Sequence, residues 1–507
     1  MIKDFATYKQ ETGGRALLLF LLFGLAIYQF ISAGFSAYAL VCATPLIIVF
    51  GYIAFKYPMA VFWTLCVFNY IVFGLDRNHL LPDGLPISIV VEGLEIVLLA
   101  VAIMDARQTP HFDRTFNLML YALFIWCGFC TLEVLNDTCG LGINIGAWYQ
   151  GARMMAFQIM YVFLVFTIYI NNTKRLVQYI FFWAGLSILA AAYTWKQLHF
   201  GYSAAENAWL ANSVTHVLQG GTLIRNFSFY SDAANYGEGI ACAAIVFFII
   251  GITSKIKKHR YFFLITGFIC VWAMFQTGTR TAIACFGAGI IVYVFLSKTI
   301  KIAIPVMTFF IFSYIILAFT NIGGSNQQIR RMRSALDPKD KSANVRTINQ
   351  QTMRKYMKDA PWGIGLGMNY ENVPANNKYA RMSSIPPDSE YVFIWLRTGK
   401  IGITTFIITM LLMLGGACWI VLFKIDSPSL RGIGAGMCCA FVGIQLGAYG
   451  NQVLMQFPNC LIFYGGLTIV YVLPFMEKEW VEYEAREIAK QEEREQLKLE
   501  KKKASRV

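Results

Sequence analysis

Long apolar segments alternate with short polar ones along almost the whole chain. Runs of about 18 or more apolar residues recur, for example at 37–55, 236–253 and 401–423. Each run is long enough to cross the hydrocarbon core of a bilayer as an α-helix. The pattern therefore predicts an all-α polytopic membrane protein.

About fourteen such segments can be delimited, or 12 to 14 where neighbouring segments merge. Their approximate limits are 16–33, 37–55, 59–75, 87–104, 116–134, 152–170, 176–196, 236–253, 261–277, 281–297, 302–320, 396–423, 432–448 and 457–476. This spacing predicts four parts, namely transmembrane helices in 1–320 with an outer loop at 197–235, a large helical loop at 321–395, further transmembrane helices in 396–476, and a charged tail at 477–507.

The amino-acid composition also indicates a membrane protein. Of the 507 residues, 57% are hydrophobic and only 14% are charged, whereas a soluble domain carries about 25% charged residues. The polar stretch at 1–15 is followed by an apolar segment without a small-residue cleavage site, which predicts an anchor and not a cleaved signal peptide. The cysteines lie mostly inside apolar segments and the five histidines do not cluster, so the sequence predicts no metal site.

The positive charges of the short loops set the expected orientation. Lys56, Lys174 with Arg175, and the run at 255–260 fall in alternate loops, and loops rich in Lys and Arg stay in the cytoplasm. An even number of segments then places both termini in the cytoplasm. The tail has Glu and Lys four residues apart, which predicts a solvated cytoplasmic helix. The chain contains no phosphate-binding loop of the GxxxxGK[ST] type, which argues against ATP-driven transport.

The large loop at 321–395 faces outward in this orientation and is unusually basic. It contains eleven Lys and Arg residues and six acids. Two interpretations are open. The charges could belong to solvated amphipathic helices near the membrane surface, or they could attract an anionic substrate held in the membrane.

Two arginines lie close to apolar segments at the outer face. Arg225 stands in "GGTLIRNFSFYSDAANYGEG" and Arg280 in "MFQTGTRTAIACFGAG". An arginine at the edge of a bilayer core costs a few kcal/mol unless it has a partner. The partner could be structural, with Glu238 or Asp232 in a salt bridge, or it could be a phosphate, whose oxygens suit the planar guanidinium fork.

Two acids stand where a polar loop becomes an apolar helix. The stretch "SSIPPDSEYVFIWLRTGKIG" at 383–402 places Asp388 and Glu390 at this junction. Either acid could cap the helix or interact with its dipole. Alternatively, the acids could be catalytic residues at the outer face of the membrane, beside the arginines.

Four stretches together resemble the O-antigen ligase and O-antigen polymerase superfamily of bacterial envelope enzymes. They are "LIRNFSFYSDAANYG" (223–237), "TGTRTA" (277–282), "DAPWGIGLGMNYE" (359–371) and "DSEYVFIWLRTGKIG" (388–402). The resemblance extends from about 223 to 423. In the last stretch Asp388 and Ser389 stand where the family has histidine and asparagine, and aspartate is intrinsically a weaker base than histidine.

The resemblance implies a glycosyltransferase C type of fold and a function in the inner membrane of a bacterium. It implies transfer of a glycan from undecaprenyl pyrophosphate to an acceptor hydroxyl at the periplasmic face, without metal, cofactor or nucleotide sugar. Ligation to a lipid A core, polymerisation of repeat units and transfer to protein hydroxyls stay open. A flippase for lipid-linked oligosaccharides, or another secondary transporter, is the alternative, with interior acids at Glu92, Glu95 and Glu133.

The site residues follow from the resemblance by position. Asp388 would assist the acceptor hydroxyl, and Glu390 is the second choice. The expected pyrophosphate-binding residues are Arg225, Arg280 and Arg354. The expected supporting residues are Asn235, Tyr391, Gly365 and Gly367.

Overall fold

A computed structural model describes most of the chain, and the described residues are almost entirely helical. The described residues are 35–81, 87–104, 111–212, 217–218, 223–297, 341–385 and 388–504, with scattered single residues at 21–28 and 308–333. The helices are α1 (Phe35–Lys56), α2 (Pro58–Arg77), α3 (Ile87–Met104), α4 (Leu118–Leu132), α5 (Ile145–Ala152), α6 (Gln158–Tyr169), α7 (Thr173–His199), α8 (Ala204–Asn212), α9 (Ala233–Thr253), α10 (Lys257–Gln276), α11 (Arg280–Leu296), α12 (Lys341–Tyr356), α13 (Ala380–Ser384), α14 (Glu390–Phe423), α15 (Pro428–Gly450) and α16 (Asn459–Ala504).

Nine helical segments in the described residues are long and apolar enough to cross a membrane. They are Pro58–Arg77, Ile87–Met104, Leu118–Leu135, Ile145–Tyr169, Thr173–His199, Ala233–Thr253, Glu390–Phe423, Pro428–Gly450 and Asn459–Lys498. Helix α11 is apolar but shorter, at 17 residues. The predicted segments 16–33 and 302–320 fall almost entirely outside the described residues. The prediction of an all-α polytopic membrane protein is confirmed, while the number fourteen stays a prediction.

The chain divides into two compact units. The first comprises Met1–Trp63 with Val97–Gln108, and the second comprises Thr64–Ile96 with Thr109–Val507. In its described residues the first unit holds α1, the start of α2 and the end of α3. All residues of the candidate site lie in the second unit.

Helix α9 is the central element of the second unit. Nearly all of its residues are buried, and it packs against α10, α11 and α15. Its sequence "AANYGEGIACAA" is rich in small residues, which let neighbouring helix backbones approach closely within a membrane. Its first turn is fixed by Asp232, whose Oδ1 accepts hydrogen bonds from the amides of Ala234 (2.7 Å) and Asn235 (2.9 Å).

The outer loop predicted at 197–235 contains structure that the apolar pattern does not reveal. Helix α8 comes first, and two short strands, β1 (Val217–Leu218) and β2 (Leu223–Ile224), then pair antiparallel. Arg225 follows β2 directly. The short hairpin therefore ends at the first of the predicted site arginines.

The described part of the large loop, residues 341–385, folds around its own apolar cluster. Met353 near the end of α12 and Met357 directly after it pack with Ile364, Met368 and other buried side chains. The cluster also includes Ala147 of α5 and Leu396 of α14. The loop is therefore attached to the helical body, which gives α12 a defined position.

Candidate active site

Arg225 is held by polar groups of the turn between α10 and α11. Its Nε donates to the carbonyl oxygen of Thr277 (3.3 Å), and its Nη2 donates to Oγ1 of Thr279 (2.8 Å). Both acceptors are neutral groups, so these two hydrogen bonds do not neutralise the positive charge of Arg225. Burial lowers the pKa of the Arg225 guanidinium; the negative charges of Asp232 and Glu238 oppose this shift, and the positive charges of Arg280 and Arg346 add to it with smaller effects.

Arg280 and Arg346 therefore both lie within electrostatic range of Arg225. Asp232 and Glu238 oppose the effect of Arg280 and Arg346 on Arg225, so two acids also lie within electrostatic range. Arg280 is the first residue of α11, where the exposed amides and the dipole of a helix favour an anion. The arrangement suits a ligand that carries several negative charges.

Glu238 ties three elements together beneath the arginines. It is fully buried in α9 and accepts hydrogen bonds from Thr281 Oγ1 and Asn451 Nδ2. Asn451 Nδ2 also donates to Thr281 Oγ1 (2.9 Å). The acid thus fixes the start of α11, which carries Arg280, relative to the end of α15.

The segment between Arg225 and Asp232 is fixed by an arginine of α2. Nη2 of Arg77 donates to the carbonyl oxygens of Tyr230 (2.6 Å) and Ser231 (3.0 Å). Its guanidinium also lies over the rings of Trp209 (4.4 Å) and Phe227 (4.3 Å). Arg77 is engaged by the protein itself, so it belongs to the frame and not to the ligand-binding set.

Asp388 contacts a residue of the large loop. Its Oδ2 lies 3.8 Å from Nε of Arg346, and the two side chains are 42% and 36% exposed. The residue that precedes α14 is Ser389, and its side chain makes no capping bond; its Oγ instead donates to the carbonyl oxygen of Ala448 (3.1 Å). The structure therefore gives Asp388 an arginine partner.

Glu390 has a different environment. It is 2% exposed, and its Oε2 accepts a hydrogen bond from the amide of Leu454 (3.1 Å), in the connection between α15 and α16. Its bond is therefore to another segment and not to the first turn of its own helix. The two acids of the junction therefore have different environments. Asp388 is partly exposed beside an arginine, whereas Glu390 is buried.

The predicted supporting residues Asn235 and Tyr391 connect the same helix ends. Asn235 is fully buried and its Nδ2 donates to the carbonyl oxygen of Phe457 (2.8 Å), while Asn459 Nδ2 donates to its Oδ1. The hydroxyl of Tyr391 donates to Oε1 of Gln445 (2.6 Å). The starts of α9, α14 and α16 and the end of α15 therefore meet around the arginines.

The glycine-rich stretch of the large loop fits closely onto a break in α14. Gly399 has φ 66°, and Gly363 has φ 80°, a backbone region that strongly favours glycine. A Cβ at Gly363 would overlap the backbone of Arg397, and one at Gly399 would overlap the carbonyl of Pro361. The predicted supporting residue Gly365 donates its amide to the carbonyl oxygen of Arg397 (3.0 Å).

The last predicted supporting residue, Gly367, lets the large loop pack closely against a second helix, α5. A Cβ there would overlap the backbone of Ala147 in α5. The glycines of the stretch "PWGIGLG" thus let the large loop lie against α5 and the break in α14. They position the loop, and their supporting role in the site stays a prediction.

Replacing Gly363 with alanine should destabilise the protein, because the new side chain adds steric overlap to an unfavourable φ. We expect a loss of about 2 kcal/mol or more. Gly415→Ala is the matched control, since this glycine of the same helix α14 has nothing within 4 Å of the added Cβ. Thermal unfolding of the purified variants in detergent measures the difference. Equal midpoints for the two variants would contradict the packing described here.

The remaining predicted residue is Arg354, and within the part of the chain that the structure describes no hydrogen bond or ion pair joins it to the other two arginines. It is exposed on α12, eight residues beyond Arg346, and its role in binding stays a prediction. Arg346 was missed at the residue level, because the sequence shows it only as one of eleven basic residues in the loop. Asn451 was missed because nothing distinguishes it from other polar residues that follow an apolar segment.

No group of three or more His, Cys, Asp and Glu side chains in the described residues could hold a metal ion. Cys127 and Cys130 have Cys-x-x-Cys spacing inside the apolar helix α4, and Cys130 is fully buried. Independence from metals stays a prediction.

Residues 264–407 match the family described as O-antigen ligase. No curated protein matches the chain. The matched region includes Arg280, Arg346, Asp388 and Glu390, whereas Arg225 precedes it and Asn451 follows it.

Proposed function

Because residues 264–407 match the family described as O-antigen ligase, we propose that the chain transfers a glycan from undecaprenyl pyrophosphate to an acceptor hydroxyl. The positions of three arginines at one end of the helices carry the proposal. Arg225 donates to Thr279, which directly precedes Arg280. Nη1 of Arg346 lies 4.0 Å from the position of a Cβ on Gly450, and this position is 2.6 Å from Cγ2 of Thr281. Guanidinium groups bind phosphate oxygens in a bidentate manner. The start of α11 adds helix amides that favour the same anion.

For this reaction the protein mainly has to neutralise the charge of the leaving pyrophosphate and align the acceptor with the donor; it need not form a covalent bond itself. The acceptor oxygen attacks the anomeric carbon of the donor glycan, and the bond from this carbon to the pyrophosphate oxygen breaks. Both bonding electrons leave with undecaprenyl pyrophosphate, which Arg225 and Arg280 neutralise. The proton of the acceptor hydroxyl passes to the carboxylate of Asp388 and then to water.

An apolar groove supports a polyprenyl-linked donor. It lies between α14 and α15, has a volume of about 420 Å³, and is lined mainly by apolar side chains such as Met410, Leu411 and Phe441. Tyr391 and Tyr449 also line it, and Tyr449 is two residues from Asn451, which binds Glu238. An isoprenoid chain in this groove would thus start near the arginines.

The location of the reaction follows from the charge pattern and the family. We place the arginines and Asp388 at the periplasmic face of the inner membrane and both termini in the cytoplasm, because the Lys- and Arg-rich short loops lie at the opposite ends of the helices. The donor is then reached from the membrane and the acceptor from the periplasm. Arg354 is retained as a weaker candidate for attracting the donor along the basic loop.

Transport of a lipid-linked oligosaccharide is the second candidate, and the interior acids favour it. Glu92 lies 3.3 Å from Nε of Arg153. Glu95 accepts hydrogen bonds from Nε2 of Gln158 (2.9 Å). Since each of these acids is engaged by a neighbouring side chain, they do not by themselves form a charged path, and transfer is the better supported function.

The glycan profile of a deletion strain tests the proposal and separates its three forms. Ligation predicts lipid A core without its long glycan and an accumulated lipid-linked polymer. Polymerisation predicts single repeat units on the acceptor, and protein glycosylation predicts unmodified protein with normal lipopolysaccharide. Unchanged glycans on every acceptor would contradict transfer.

A further inference from the structure

The ion pair between Arg346 and Asp388 is weak enough to be exchanged. The ion-pair distance between Nε and Oδ2 is long, at 3.8 Å, and both side chains are more than one third exposed. Ion pairs of this kind contribute little to stability because water and salt screen them. A ligand with more negative charge could therefore displace the carboxylate at low cost.

Arg346 is also beside the groups proposed to hold the pyrophosphate. Its charge acts on Arg225. Its Nη1 lies 4.0 Å from the position that a Cβ on Gly450 would occupy, and this position is 2.6 Å from Cγ2 of Thr281. The guanidinium thus stands between Asp388 on one side and the arginine site on the other.

The anchoring of α12 allows the side chain to move while the backbone stays in place. Met353, near the far end of the helix, and Met357, directly after it, are buried in the apolar cluster of the loop. Arg346 lies two turns before Met353 and is only half-buried. Its long side chain has several staggered rotamers, which offer the guanidinium more than one position around the same backbone.

We propose that Arg346 is a donor-sensing residue that leaves Asp388 when the pyrophosphate of the donor binds. This inference rests on the proposed function. In the unliganded protein the guanidinium neutralises the carboxylate of Asp388. On binding, the guanidinium turns to the pyrophosphate oxygens, which offer a stronger, charge-assisted bidentate contact.

The exchange couples donor binding to proton acceptance. The freed carboxylate of Asp388 can then receive the proton of the acceptor hydroxyl, as the acceptor oxygen bonds to the anomeric carbon and undecaprenyl pyrophosphate leaves. Before the donor arrives, the carboxylate is occupied. Arg346 therefore contributes to donor affinity and also to the timing of Asp388.

Binding of undecaprenyl pyrophosphate to the purified protein in detergent, measured by calorimetry, tests the exchange. Asp388→Asn should tighten binding about two- to fivefold, because Arg346 no longer has to leave a charged partner. Arg346→Ala should weaken binding by about tenfold or more, because it removes a charge-assisted contact. Asp359→Asn is the matched control, since Asp359 forms an exposed pair with Lys378 (2.7 Å) in the same loop, and its affinity should equal that of the parent.

The double variant distinguishes exchange from simple repulsion between Asp388 and the pyrophosphate. In the Arg346→Ala background, Asp388→Asn should change the affinity little, because no pair is left to break. Equal tightening in both backgrounds would indicate repulsion and overturn the exchange. Unchanged affinity of Asp388→Asn in the parent background, with binding still dependent on Arg225, would overturn the exchange and leave the proposed function intact.

Failure of the proposed function itself gives a different result. The parent would then bind inorganic pyrophosphate and undecaprenyl pyrophosphate equally weakly, and Arg225→Ala would change neither affinity. That outcome would overturn both the donor assignment and the exchange.

Discussion

Arg225→Ala and Arg280→Ala should each lower glycan transfer by at least about a hundredfold. Removal of one preorganised group that stabilises developing charge commonly costs this much, and the leaving pyrophosphate carries that charge here. Lysine at either position should restore only part of the activity, because a point charge lacks the bidentate fork. Transfer assays on membranes with matched amounts of each variant provide the measurement.

The controls for this prediction separate charge loss from misfolding. Arg225 donates to Thr277 and Thr279, so its loss could also loosen the turn before α11, and thermal unfolding of the alanine variants should be compared with that of the parent. Arg381→Ala, an exposed arginine of the same basic loop, should retain full activity. Full activity in Arg280→Ala would make this arginine structural.

Asp388→Asn should reduce transfer by a factor of about 100 or more while leaving the protein folded. Asparagine keeps the volume of the side chain but cannot accept the proton, and positioned acid–base assistance has this magnitude. Asp388→His should regain part of the activity, because it restores the residue type of the resembling ligases. Single-turnover transfer with purified variants measures the effect.

Glu390→Gln is the comparison for Asp388. Glu390 is buried and accepts from the amide of Leu454, and the carbonyl of glutamine can accept the same bond. We therefore expect a smaller loss of transfer than in Asp388→Asn. An active asparagine variant at 388 together with an inactive glutamine variant at 390 would move the proton-accepting role to Glu390.

The apolar pattern predicted most of the helices, because a bilayer core permits little other than a helix in each long apolar run. Segments such as 176–196 and 236–253 lie within α7 and α9. The same pattern did not reveal the break at Gly399, because the polar residues Arg397, Thr398 and Lys400 around it are also compatible with a continuous helix end. The break depends on the backbone of Pro361, which lies far away in sequence.

The candidate site was only partly accessible from sequence. Arg225 and Arg280 stand next to apolar segments, where an arginine is costly, and this made them recognisable. Arg346 lies in a polar loop where arginine is common, and only the packing of α12 through Met353 and Met357 turns it towards Asp388. The contact of Glu390 with the amide of Leu454 joins residues 64 positions apart, which no local pattern encodes.

Reconstitution in liposomes tests the central claim most directly. The parent protein receives an undecaprenyl-pyrophosphate-linked glycan in the membrane and an acceptor glycan outside, and both products are quantified. The account predicts one released undecaprenyl pyrophosphate for each glycan joined to the acceptor, and neither product with Arg225→Ala. Recovery of the intact donor in the opposite leaflet, with no glycan on the acceptor, would contradict the account and identify the protein as a transporter.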